Sequence, residues 1–130
     1  MHLEEIAQLR KGSYLMIENE ACIVTDIAIS KTGKHGHAKA RLEAVGVLDG
    51  KKRIIVKPGD EKVQIPMIEK KRAQIISLSK QANTAEIMDL ETYETLTVRI
   101  DDEITGQVAD GKQVEYWTIG DNKVIKRIVG

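Results

Sequence analysis

Short runs of branched apolar residues, many alternating with polar ones, recur along this chain, and long helical periodicity is absent. Residues 13–18, 21–30, 38–48 and 53–57 are rich in Ile, Val, Leu and Ala, the composition and period of β-strands. On an ideal strand over 21–30, Ile23, Thr25, Ile27 and Ile29 share one face, and Val24, Asp26, Ala28 and Ser30 share the other. Glu18-Asn19-Glu20 and Asp49-Gly50 are turn signals between these runs. Pro58-Gly59-Asp60 interrupts the next connection, and Val63-Gln64-Ile65 reads as a last short strand closed by Pro66. Five short strands with little helix predict a small SH3-like barrel over residues 1–69.

Residues 67–72 contain Glu69-Lys70-Lys71-Arg72 and read as a linker or a strand entry, with the domain boundary near Glu69. Strands are then expected over 73–79, 84–89 and 92–100. Asp101-Asp102-Glu103-Ile104 supplies acidic residues suited to the first turn of a short helix. Two further strands, 114–119 and 123–129, flank the turn Gly120-Asp121-Asn122. Three strands, a helical turn and two strands is the order of an OB-fold barrel over residues 70–130. The expected fold is all-β: an N-terminal SH3-like barrel followed by a C-terminal OB-fold barrel.

The 130 residues are 42% hydrophobic and 31% charged, which fits a soluble globular protein. No apolar run approaches the roughly 20 residues of a membrane span, and Met1-His2-Leu3-Glu4-Glu5-Ile6 lacks the pattern of a secretory signal. The single cysteine, Cys22, cannot form an internal disulfide and sits in an apolar run, where it reads as a small buried hydrophobe. These features lead us to expect a cytoplasmic protein.

Twenty basic and twenty acidic side chains cancel overall, but not locally. Residues 30–57 hold eight basic side chains against Glu43 and Asp49, a net of +6, whereas residues 71–130 hold eight against ten, a net of −2. The N-terminal half is therefore the one expected to attract polyanions. Its most distinctive segment is Lys31-Thr32-Gly33-Lys34-His35-Gly36-His37-Ala38-Lys39, with three lysines, two glycines, two histidines and no acid. Lying between two predicted strands, it reads as a basic hairpin tip. It would hold phosphates by charge, and without arginine it is poorly suited to reading bases.

Enzyme signatures are weak. No Ser-His-Asp or Cys-His set can be assembled, and Gly33-Lys34 lacks the remainder of a phosphate-binding loop. His35-Gly36-His37 has ligand chemistry, but no cysteine or carboxylate stands near it, so no metal site is expected. The C-terminal half offers only Tyr93, Tyr116 and Trp117 as aromatic platforms, few for a general single-strand binder. Tyr116 and Trp117 are expected to pack on a strand. On the residues alone, an unmodified RNA-binding or ribosome-assembly module remains an alternative.

The segment Ser30-Lys31-Thr32-Gly33-Lys34-His35-Gly36-His37-Ala38-Lys39 resembles the modification loop of the translation factor 5A family, the hypusine-containing proteins. The likeness extends over the whole chain, including Asp49-Gly50-Lys51-Lys52 and the two-barrel order. The short N-terminus and the Trp-containing, basic C-terminal strands are similar to archaeal members. The family is related to bacterial elongation factor P in its first two domains. The resemblance implies that deoxyhypusine synthase transfers an aminobutyl group from spermidine to Lys34, giving deoxyhypusine or hypusine. It implies no other cofactor, no catalytic residue and no metal ligand. Lys31, Thr32, Gly33, His35, Gly36, His37 and Lys39 would shape the loop or contact RNA. The implied partners are the ribosome, ribosomal RNA and peptidyl-tRNA. The implied action is to position peptidyl-tRNA and so promote peptide-bond formation at stalls such as consecutive prolines.

Overall fold

A computed structural model describes residues 2–31 and 38–130. Thr32, Gly33, Lys34, His35, Gly36 and His37 lie outside the described residues. The chain divides into two compact units, Met1–Met67 and Ile68–Gly130.

In the first unit, β1 (His2–Glu5) is followed by a 3₁₀ turn (Ile6–Gln8), β2 (Tyr14–Ile17), β3 (Glu20–Ser30), β4 (Lys39–Gly46), β5 (Lys52–Pro58) and β6 (Lys62–Ile65). Strands β2-β3-β4-β5 form an antiparallel sheet in that order, and β1 pairs with β6 in a two-stranded ribbon. Together they make an SH3-like half-barrel. The two-residue loop Glu18-Asn19 places both residues at positive φ, as a tight hairpin turn matched to strand twist requires. Ile6, Leu15, Cys22, Ala40, Leu42 and Ala44 are fully buried in one core. Cys22 is thus the buried hydrophobe expected of it.

The faces predicted for 21–30 are corrected by the pairing. Val24 lies opposite Ala44 and Asp26 opposite Glu43, so Thr25 is an extra residue, a β-bulge. The bulge reverses the alternation. Cys22 and Val24 point inward before it, and Ile27, opposite the buried Leu42, packs on the core after it.

The second unit contains β7 (Ile68–Ser79), β8 (Thr84–Asp89), β9 (Thr95–Ile100), a 3₁₀ turn (Thr105–Gln107), β10 (Gln113–Ile119) and β11 (Asn122–Ile128). The strands close in the order β10-β11-β9-β8-β7, with β10 returning to β7 and β9 parallel to β11. This is the OB-fold barrel. Its core includes Ala73, Ile75, Ile87, Val98, Val114, Tyr116 and Ile125. Two more bulges repeat the device of β3: one falls between Ile75 and Ser77, the other opposite Glu115 and Tyr116. At each of the three, the inward residues stand three apart across the break: Val24 and Ile27, Ile75 and Leu78, Ile125 and Ile128.

In this half one open alternative is settled and two expectations are revised. Of the linker and the strand entry that residues 67–72 allowed, the strand entry holds: residues 68–72 begin β7, with Lys70 opposite Trp117 and Arg72 opposite Glu115. A charged run serves as a strand here because its charges find cross-strand partners: the Lys70 ammonium sits 4.4 Å from the Trp117 ring centre. β9 begins at Thr95 and not at Thr92, since the preceding residues form a turn with Tyr93 at φ 63°. Finally, Asp101–Ile104 forms a turn and the following residues a single 3₁₀ turn; no α-helix occurs among the described residues. The Asp101 carboxylate accepts the Glu103 N–H at 3.1 Å and pairs with Lys126, so it organises a turn where a helix was expected.

Candidate functional site

The ladder between β3 and β4 runs to the pair Ser30–Lys39. The basic segment therefore leaves and re-enters the fold at one end of this hairpin. Of the candidate site residues, Lys31 and Lys39 are described. Both are exposed, and neither makes an ion pair among the described residues.

The return side of the segment is tied to the body by backbone contacts. Gly59 donates its N–H to the Ala38 carbonyl at 2.7 Å, and the Ala7 N–H donates to the Gly59 carbonyl at 3.1 Å. The N–H of the fully buried Ile6 donates to the Glu61 carbonyl at 2.9 Å. Three chain segments thus meet where Gly59 has no side chain. A Cβ there would lie 3.3 Å from both the Ala38 oxygen and the Ala7 Cβ. Gly59→Ala is expected to cost about 1–2 kcal/mol through overpacking, read as a lower midpoint in chemical denaturation with an unchanged slope. The N-terminal strand and 3₁₀ turn, which the sequence reading left without structure, are part of this anchor. Ile6 and Leu9, buried three residues apart, were the available signal.

Near the hairpin end lie Arg41 and Lys57, whereas Lys52 and Arg53 stand at the far end of β5, opposite Val45 and Ala44. Glu43 holds Arg41 at 3.2 Å and Lys52 at 3.7 Å, and Glu61 holds Lys57 at 3.8 Å. These are exposed pairs of small energetic worth, so the cations stay available to phosphates.

The β4–β5 turn is better built. Arg53 meets both oxygens of Asp49, at 3.1 and 2.7 Å, and Asp49 also accepts the Lys51 N–H at 2.9 Å. The Arg53 guanidinium, then the Lys51 N–H, pull the Asp49 carboxyl down to about 2. Gly46 makes this possible: a Cβ there would fall 1.9 Å from the Asp49 carboxylate oxygen. A carboxyl with a depressed folded value contributes stability that is present above its unfolded value. That contribution is lost as the pH falls through the folded one. Arg53→Met is therefore expected to lower stability at pH 6 and to reduce the loss between pH 4 and about 2, measured by denaturant titrations across pH.

A family model described as "Translation initiation factor 5A-like, N-terminal" matches residues 2–61. Translation initiation factor 5A of Pyrococcus horikoshii is 47% identical over 127 residues, covering 94% of this chain and 91% of that protein. The chain belongs to the translation initiation factor 5A family. The Archaeoglobus fulgidus factor is 45% identical over 121 residues, covering 92% and 93% of the two chains. A solved structure titled as eukaryotic translation initiation factor 5A from Methanococcus jannaschii superimposes with a TM-score of 0.86 at 35% identity, covering 98% of this chain and 94% of that one. A family protein from Naegleria fowleri shares the fold, with a TM-score of 0.83 at 24% identity. The family's all-β, two-barrel architecture is the one described above. No helix among the described residues is long and apolar enough to cross a membrane.

Proposed function

We propose that this chain is a cytoplasmic translation factor that binds the ribosome and acts through a hypusine or deoxyhypusine side chain at Lys34. The observation that carries the reading is the segment Thr32-Gly33-Lys34-His35-Gly36-His37-Ala38-Lys39, set between two paired strands of a chain of this family. Deoxyhypusine synthase adds the aminobutyl group of spermidine to the Lys34 amine, and no further cofactor takes part.

The lengthened side chain carries two cations on a thin stem. It reaches where plain lysine stops, and its charges meet the phosphates and carbonyls of peptidyl-tRNA and ribosomal RNA. Gly33 and Gly36 give the segment its shape and admit the synthase. Lys31, Thr32, His35, His37 and Lys39 support the tip and contact RNA. A firm scaffold matters for such a device, because a misplaced tip orients nothing. The Ala38–Gly59–Ala7 anchor and the β3–β4 ladder supply that firmness. Peptide-bond formation remains the work of ribosomal RNA, and the factor contributes orientation, most of all at stalls such as consecutive prolines.

A reconstituted translation system programmed with a polyproline message tests this. Protein carrying the modification is expected to restore full-length product, and unmodified protein to restore little. Equal rescue by both forms would sink the reading in favour of a plain RNA-binding or ribosome-assembly module.

A further inference from the structure

Where a short helix was expected after β9, the chain follows the turn at Asp101–Ile104 with one 3₁₀ turn, Thr105–Gln107. Ile104 and Val108 pack on the core of the second barrel, but no residue of the 3₁₀ turn is buried. So thin a cover does not fill the space beside it. A cleft of about 340 Å³ lies between this cover, the ends of β7 and β9, and the β7–β8 turn, and Leu78, Ile100 and Val108 give it apolar walls. Small-molecule sites occupy roughly 300–1,000 Å³, so the cleft suits a small ligand.

The polar groups of the lining fall into two kinds. Asn83, at φ 53°, donates its amide to the Ile100 carbonyl at 2.9 Å and to Asp102 at 3.1 Å, and its oxygen accepts the Thr105 hydroxyl at 3.0 Å. These groups are spent on holding the cover to the barrel. Ser79 and Lys80 line the same cleft and are exposed. Among the described residues, neither side chain makes a hydrogen bond or an ion pair. What they offer a ligand is donors, a hydroxyl and an ammonium.

Charge does not favour an ion. Of the lining residues only Lys80 is charged. Within two positions of the lining stand Arg99, Asp101, Asp102, Glu103 and Asp110, and Asp101 is held by Lys126. An anionic head would meet Asp102, Glu103 and Asp110 around the cleft, and a cationic head would meet Lys80 in its wall. We propose that this cleft binds a small, uncharged, mainly apolar molecule with a single hydrogen-bond acceptor. Its chain lies against Leu78, Ile100 and Val108, and its acceptor takes hydrogen bonds from Ser79 and Lys80. The site belongs to the second unit and does not involve Lys34, so its failure would leave the translational reading untouched.

The probe is 2-heptanone, titrated into the full isotope-labelled chain and followed by methyl NMR shifts. The methyls of Leu78, Ile100 and Val108 are expected to shift together, with a dissociation constant on the order of 1 mM. Heptanoate and heptylammonium are expected to bind about tenfold more weakly, because each must desolvate a charge. Ser79→Ala combined with Lys80→Met removes both donors at exposed positions. It is expected to weaken the ketone about fivefold with an unaltered unfolding midpoint. Gly106→Leu adds bulk in the lining at a place where an added Cβ meets nothing within 4 Å. It is expected to weaken the ketone about tenfold or more and provides an independent loss of binding. The proposal is overturned if near-saturating ketone leaves these three sets of methyls unshifted. The same follows if either variant binds the ketone as the parent does, or if either ion binds as tightly as the ketone.

Discussion

Lys34→Arg is expected to leave the fold and the thermal midpoint unchanged and to abolish the protein's function in cells. Arginine keeps the positive charge and nearly the length of lysine, so any role that rests on charge alone survives the change. A guanidinium does not take the place of the amine that accepts the aminobutyl group. The variant therefore separates two chemistries that share one sequence. Replacement of the native gene by the Lys34→Arg form is predicted to fail to support growth, with stalling concentrated at consecutive prolines. Normal growth would show that the segment works as a plain polycation. The surroundings favour the first outcome. Lys31, Lys39, Arg41 and Lys57 already supply exposed positive charge at or near this end of the fold, so one more ordinary lysine adds little to affinity for phosphates. A lengthened one adds reach.

The second large effect concerns stability. Asp89 is the one buried charged residue among those described, 3% exposed. Its carboxylate accepts the N–H groups of Glu91 at 2.8 Å and Thr92 at 2.9 Å, and the hydroxyl of the buried Tyr116. Burial pushes this carboxyl up, but the Tyr116 hydroxyl and the two backbone N–H groups outweigh it, and the group ends below the ordinary range. Burial and the neighbouring Asp89 raise the Tyr116 hydroxyl. One side chain thus closes the β8–β9 turn and links it to β10. Asp89→Ala strands three donors and is predicted to cost about 3–4 kcal/mol, a large share of the roughly 3–9 kcal/mol that a barrel of about 60 residues possesses. Asp89→Asn retains an oxygen for the turn amides and presents an NH₂ to the Tyr116 oxygen, so its cost should be near 1 kcal/mol. Tyr116→Phe removes one donor from a buried charge and should fall between them, at about 2 kcal/mol. Denaturant titration of the three variants checks the order. The Asp89 contribution is full above the unfolded carboxyl value and fades as the pH falls through the lower folded one.

How much of this was legible in the chain depends on whether the cause was local. Strand existence came from local periodicity, and the two-barrel class followed from the order of strands and turns. Face assignment within β3 failed at Thr25 because a bulge is set by the partner strand: β4 offers Ala40, Leu42 and Ala44 inward at strict period two. Only a spacing of three between Val24 and Ile27 betrays the change. The charged start of β7 was left open between linker and strand for a similar reason, since Lys70 and Arg72 are strand residues by virtue of Trp117 and Glu115 more than forty residues away. Asp89 looked like the end of a strand, and nothing near it announces that Tyr116 completes it. The candidate site was the reverse case. Its residues are contiguous, so Lys34 and its neighbours could be singled out directly, whereas the anchor of Gly59 on Ala38 and Ala7 joins three distant segments.

Peptide mass spectrometry of protein purified from its native cells, covering residues 31–39, tests the central claim most directly. The prediction is a mass increase on Lys34 equal to an aminobutyl group, with or without one oxygen, in essentially the whole pool. An unmodified Lys34 throughout that pool would contradict it.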